Sequence, residues 1–138
     1  MNKLGSILVT VCCLTLVPTW VRASCTNAVL KGAYAFQETH GTHPSAQLTF
    51  SAVGVLTFDG KNSARMDVTI SYSDGSLSHQ VGIPITYNVA SDCRLNFAYQ
   101  ANGETFEGVV VQNGGRIFYI ETTGDPFRDG EAQKLIEQ

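Results

Sequence analysis

The sequence is poor in long apolar runs, in basic residues, in tryptophan and in helical periodicity, and each shortage removes a class of protein. The apolar run Leu4 to Val17 falls short of the roughly 20 residues a membrane-spanning helix needs. Lys3 before it, Pro18 after it and the small-x-small step Val21-Arg22-Ala23 give it the form of a secretory signal peptide cleaved before Ser24. Lipidation at Cys25 is the alternative, weakened by Arg22 where such a site has an apolar residue. The expected organisation is therefore a signal peptide over 1–23 and one domain over 24–138, secreted or periplasmic. Loss of Lys3 and Arg22 takes Lys+Arg from 9 to 7 against 12 Asp+Glu, a formal charge of −5. An acidic chain without basic clusters argues against nucleic acid and against an anionic membrane surface as partners. The single tryptophan, Trp20, leaves with the signal.

Cysteine is scarce too. Cys12 and Cys13 lie in the apolar run, so the exported chain keeps only Cys25 and Cys93. Two cysteines in an oxidising compartment point to one disulfide. It would close a long loop and stabilise the fold by about 4 kcal/mol. An acylated Cys25 or two free thiols are the alternatives.

What the sequence has in abundance is alternation. Tyr34, Phe36, Glu38 and His40 share one face of the first run, and Leu48, Phe50, Ala52, Gly54, Leu56 and Phe58 one face of the second. Ala64, Met66, Val68, Ile70 and Tyr72 alternate with Arg65, Asp67, Thr69 and Ser71. A period of two marks a strand with one buried face. Turns are expected at Asp59-Gly60, Asp74-Gly75 and Asn102-Gly103. In the fourth run Leu77, His79, Val81, Ile83, Ile85, Tyr87 and Val89 are expected inside, with Gln80 and Thr86 exposed. Pro84, which has no N–H, should leave a bulge or a pairing gap there. Leu95, Phe97 and Tyr99 follow. The runs 104–112 and 116–123 are apolar on both faces, which leaves their orientation open, and a short strand near 131–136 is placed to return to the first. Eight or so strands in successive hairpins define an all-β, up-and-down antiparallel barrel, because closure removes the exposed edges of an open sheet. A barrel of that size encloses packed side chains or one small ligand.

The segments "LKGAYAF", "AVGVLTFDGKN", "ITYNVASDC" and "VVVQNGGRIFYIETT", in that order, resemble a group of secreted bacterial small barrels, similar in outline to the allene oxide cyclase-like and lipocalin-like (calycin-type) barrels. The shared pattern is a Cys, Leu-x-Gly-x-Tyr, Gly-x-Leu-Thr-Phe-Asp-Gly and Tyr-x-Val-x-x-Asp-Cys. The sequence departs from it at "KNSARMD", where a second glycine-rich step belongs. The resemblance implies a barrel holding an apolar small molecule and carries over no catalytic residue.

For chemistry, "ETHGTH" (Glu38 to His43) has metal-ligand residue types but draws no further ligand from elsewhere, and polar residues at a barrel rim explain it as well. His79 sits in an apolar face, as a hydrogen-bonded core residue or a proton-transfer group. Tyr34, Tyr72, Tyr87 and Tyr99 also fall on inward faces, where packing and ligand contact are both open to them. "DPFRDGE" (Asp125 to Glu131) lacks calcium-loop spacing and fits a solvated turn. Nothing resembles a serine or cysteine nucleophile with its base, and no cofactor or metal is expected. The expected site is a lumen lined by Tyr34, Glu38, His79, Tyr87 and Tyr99, with Glu38 near the mouth and His79 deeper. It would bind a hydrophobic small molecule. A cyclase or isomerase using the same cavity is the alternative, and a structural module with a packed core a third.

Overall fold

The structure is a computed structural model describing residues 24–43, 48–123 and 128–136; for residues 40, 42 and 43 only the backbone is described. The signal segment and part of the Asp125–Glu131 stretch lie outside these residues. Eight antiparallel strands follow one another around a closed barrel. They are β1 (Lys31–His43), β2 (Leu48–Asp59), β3 (Ser63–Tyr72), β4 (Leu77–Val89), β5 (Arg94–Tyr99), β6 (Thr105–Val111), β7 (Arg116–Glu121) and β8 (Asp129–Lys134). The seam is β1 against β8, with Phe36 opposite Ala132 and Glu38 opposite Gly130. The all-β, up-and-down barrel expected from the alternation is the fold observed.

Alternation places the expected faces in β2, β3 and β5 and in β1 as far as Glu38; beyond it a register shift against β2 sets buried Gly41, not His40, opposite Phe50. Tyr34, Phe36, Leu56, Phe58, Met66, Val68, Leu95 and Phe97 are all buried. In the two strands whose orientation was open, Phe106 and Val110 of β6 and Ile117 and Tyr119 of β7 turn inward. Val109, Phe118 and Ile120 are left exposed.

β4 corrects the expectation. Val81 and Gly82 together oppose Asp67, between the pairs Met66–Ile83 and Val68–Gln80, so a β-bulge sits there and not at Pro84. Gly82 adopts a φ of +70°, and its N–H donates to Asp67 Oδ1 at 2.7 Å. One extra residue exchanges the faces upstream of it. Ile85, Tyr87 and Val89 are buried as expected and Thr86 is exposed, but Val81 is 69% and Leu77 72% exposed. Pro84 stays in register opposite Arg65, and its carbonyl accepts the N–H of Gln100 just past the end of β5. Because a strand residue's N–H and C=O point the same way, its missing donor faces a place where β5 has already stopped.

One end of the barrel is closed. A 3-10 turn, Asn27–Val29, crosses it and delivers Leu30, which is fully buried. Cys25 is bonded to Cys93 in the β4–β5 turn, with the Cα atoms 5.0 Å apart, and its N–H donates to the Ser91 carbonyl. Asn27 pins the segment from both sides: its side-chain amide donates to the Lys61 carbonyl and accepts the Val89 N–H at 2.6 Å. The expected disulfide is thus present, and it ties the plug to the wall.

Candidate functional site

The interior divides into two halves. Toward the plug it is filled: Phe58 meets Tyr34 and Tyr87 edge-on, and Phe97 stacks on Phe106 at 4.5 Å between centroids. Toward the other end a cavity of about 690 Å³ opens to solvent. Its walls are Phe50 from β2, Met66, Val68, Ile70 and Tyr72 from β3, and Ile83 from β4. The β4 bulge helps shape it, because the exchange of faces swings Gln80 into the mouth.

Of the five residues expected to line one lumen, the structure brings two to this cavity, Glu38 and Tyr99. Tyr34 and Tyr87 point inward but lie at the plugged end. The Tyr34 hydroxyl donates to the Gly114 carbonyl at 2.6 Å and the Tyr87 hydroxyl to the Leu30 carbonyl at 3.2 Å. The Tyr87 bond bolts the plug itself, and the Tyr34 bond holds the turn between β6 and β7 that packs against Val29 of the plug. Burial, reinforced by the Asp59 carboxylate, pushes the Tyr87 phenol up to about 12. His79 is not in the lumen at all. The bulge turns it outward, opposite Thr69, whose hydroxyl lies 3.1 Å from Nδ1 on the exposed surface. Of "ETHGTH", the His40 and His43 side chains lie outside the described residues, and among the described residues no three His, Cys, Asp or Glu gather to hold a metal.

The cavity's polar chemistry centres on a residue not singled out from the sequence. Arg128, just before β8, is a mostly buried cation and not part of a solvated turn. Its Nε donates to Glu121 Oε2 at 2.7 Å, its Nη2 pairs with Glu104, and its Nη1 stands 3.9 Å from Glu38 Oε2. The guanidinium carbon lies 5.2 Å from the Phe106 ring centroid, 5.6 Å from Phe50 and 5.9 Å from Tyr99, within cation–π range. Burial alone would favour a neutral guanidine; the hydrogen bond to Glu121 and the charges of Glu38 and Glu104 outweigh it and raise the pKa.

Glu38 is 3% exposed. Its Oε1 accepts the Tyr119 hydroxyl at 3.2 Å. That contact depends on Gly130, which stands between them in the ladder, opposite both Glu38 and Tyr119. A Cβ there would fall 2.4 Å from Tyr119 Cζ, so only glycine lets the ring lie across β8 to the carboxylate. Burial raises the Glu38 pKa, and Glu121 and Glu104 add to it, against the lowering pull of Arg128 and Tyr119. Burial raises the Tyr99 phenol well above its ordinary value as well, helped by Glu38.

The raised carboxyl has a consequence for stability. The folded state holds the Glu38 proton more tightly than the unfolded chain. The stabilisation from that proton is complete below the ordinary value of 4.5 and is lost as pH rises through the higher folded value. Glu38→Gln mimics the neutral acid, so it should raise the melting temperature at pH 8 and lose that advantage below about pH 4.5. Melting curves of both proteins across pH 4–8 check this. A loss at pH 8 that vanishes below about pH 4.5 would mean that the ion pair with Arg128 outweighs the burial.

Tyr119, Glu104, Glu121 and Arg128 escaped sequence reasoning. The available signal was the glycine pair Gly108 and Gly130, which flank Tyr119 across the ladder and mark a large side chain lying over bare backbone.

The molecule is thus an eight-stranded up-and-down barrel, plugged at one end and holding a charged, aromatic-lined cavity at the other. No protein-family model matches the chain, and no curated protein matches it. Among solved structures it is similar to a redesigned β-barrel, mFAP1, bound to DFHBI, at 17% identity over 82% of this chain and 99% of that one, with a TM-score of 0.47. It is also similar to a related redesigned barrel, mFAP0, bound to DFHBI, at 15% identity over 77% and 99%, with a TM-score of 0.46.

Proposed function

We propose that this is an exported binding protein that holds one hydrophobic small molecule in the open end of its barrel. The observation that carries the reading is the cavity itself, about 690 Å³, with an apolar wall of Phe50, Met66, Val68, Ile70 and Ile83 beside a polar group of Glu38, Glu104, Glu121 and Arg128. That size and make-up are those of small-molecule sites in general. In this reading the chain begins at Ser24 after signal cleavage and belongs with the secreted calycin-type barrels it resembles. Its disulfide is compatible with an oxidising extracellular or periplasmic compartment. Among the described residues no helix is long and apolar enough to cross a membrane.

The test is titration with a neutral apolar dye such as Nile red. Saturable fluorescence at one dye per chain is expected. Filling the cavity with Ile70→Trp should abolish it, while Val53→Lys on the outer wall should leave it unchanged. Fluorescence that survives Ile70→Trp and falls with Val53→Lys would place the dye on the surface and end the proposal.

A second reading, a cyclase or isomerase, is favoured by one observation. Glu38 is a buried carboxyl with a pKa raised by that burial and lines the cavity, a setting in which a carboxyl group can exchange a proton with a bound ligand. Turnover of a bound ligand that drops by about 10²–10⁴ in Glu38→Gln, with affinity kept, would favour this reading over simple binding.

A further inference from the structure

Resting on the binding reading, we propose that the molecule held in the cavity is a cationic amphiphile, an apolar body carrying an ammonium or amidinium group. Its charge would sit at the base of the cavity among Glu38, Glu104 and Glu121, and its apolar part would lie along β3.

Among the described residues that line the cavity, the charged ones are Glu38, Glu104, Glu121 and Arg128. Three carboxylates thus face one guanidinium. With Glu38 in its acid form, one negative charge still remains in excess. In a concave site with apolar walls that excess is poorly screened and attracts a counter-ion of positive sign.

Arg128 already has its charge matched: its Nε and Nη2 each give a hydrogen bond, to Glu121 and Glu104, so a carboxylate or phosphate ligand would find only the Nη1 edge of a neutralised cation. An anion drawn to that edge would still meet the excess negative charge of the surrounding carboxylates. Glu38, in contrast, has acceptor capacity left. Its Oε1 takes the Tyr119 hydroxyl, and among the described residues its Oε2 is paired with Arg128 Nη1 at 3.9 Å, too far for a hydrogen bond. The cavity base therefore presents a carboxylate oxygen that a charged donor can pair with.

Arg128 shows that this place holds a cation: its guanidinium is surrounded by carboxylates and lies over the Phe50, Tyr99 and Phe106 rings. A second, ligand-borne cation would use the same two kinds of contact. The apolar body would lie against Val68, Ile70 and Ile83, where no charge competes.

A matched set of ligands separates this inference from the reading beneath it. Dodecylammonium, dodecanol and dodecanoate share one tail and differ in head charge. With each competing against Nile red below its aggregation concentration, the ammonium should bind at least ~10-fold more tightly than the alcohol, and the carboxylate more weakly than both. Raising the salt concentration should erode the ammonium's advantage and leave the alcohol unchanged. Glu38→Gln should shrink that advantage several-fold without affecting the alcohol, and Glu104→Gln, a more exposed position, gives the same comparison if the first variant folds poorly. Alcohol or carboxylate binding as tightly as the ammonium would overturn the cationic ligand and leave the binding protein standing. Failure of all three to displace a cavity-bound dye would likewise overturn the cationic ligand alone, and absence of saturable dye binding would overturn both.

Discussion

Phe106→Ala should destabilise the protein by about 3–5 kcal/mol, the range for removing a buried phenylalanine ring. Phe106 is 1% exposed and joins the two halves of the interior. It stacks on Phe97 with 3° between ring planes, and Tyr99 and Tyr119 close around it at 4.8 and 6.0 Å. On its other side it faces the Arg128 guanidinium. Truncation would leave a void that rigid barrel walls cannot collapse to fill. Val81→Ala is the control. Strict alternation puts Val81 in the core, yet at 69% exposure it should cost no more than about 0.5 kcal/mol. Denaturant midpoints at equal slope read both. Comparable losses would mean that β4 runs through without its bulge.

Removing the disulfide should have an effect of similar size. Cys25 and Cys93 are 68 residues apart, and releasing a loop of that length returns about 4 kcal/mol of chain entropy to the unfolded state. Cys25→Ser and Cys93→Ser together should match that loss, and either alone should come close, since each breaks the same bond. Reduction of the unmodified protein should do the same, read as a shift in the denaturation midpoint. A loss under about 1 kcal/mol would mean that Asn27 and the Tyr87 hydroxyl hold the plug without help.

The barrel was legible in the sequence because period-two patterning is local: Tyr34, Phe36 and Glu38, or Met66, Val68 and Ile70, announce their face without reference to anything distant. The bulge was not legible. Leu77, His79, Val81 and Ile83 alternate faultlessly, and what breaks their register is a contact from Gly82 to Asp67 on the neighbouring strand. His79 was misplaced for that reason alone. Tyr34 and Tyr87 were misjudged differently. Alternation says which face a side chain takes but not how high along the barrel axis it lies, so residues at the plug and residues at the mouth looked alike. Arg128 shows the third limit. In "DPFRDGE" it sits among acids and proline, the composition of an exposed turn. Its burial rests on Glu104, from the turn before β6, and on Glu121, from β7.

The seam of the barrel bears on how the molecule comes into being. Tyr34 pairs with Lys134 across almost the whole domain, so the ring closes only after its last strand is at hand. Pairings that distant are slow to form, since the chain must surrender much of its freedom before the contact repays it. Until then β1 and β7 are bare edges, each able to accept a strand from another molecule. Closure is therefore both the final event of folding and the one that makes the protein safe in a crowd.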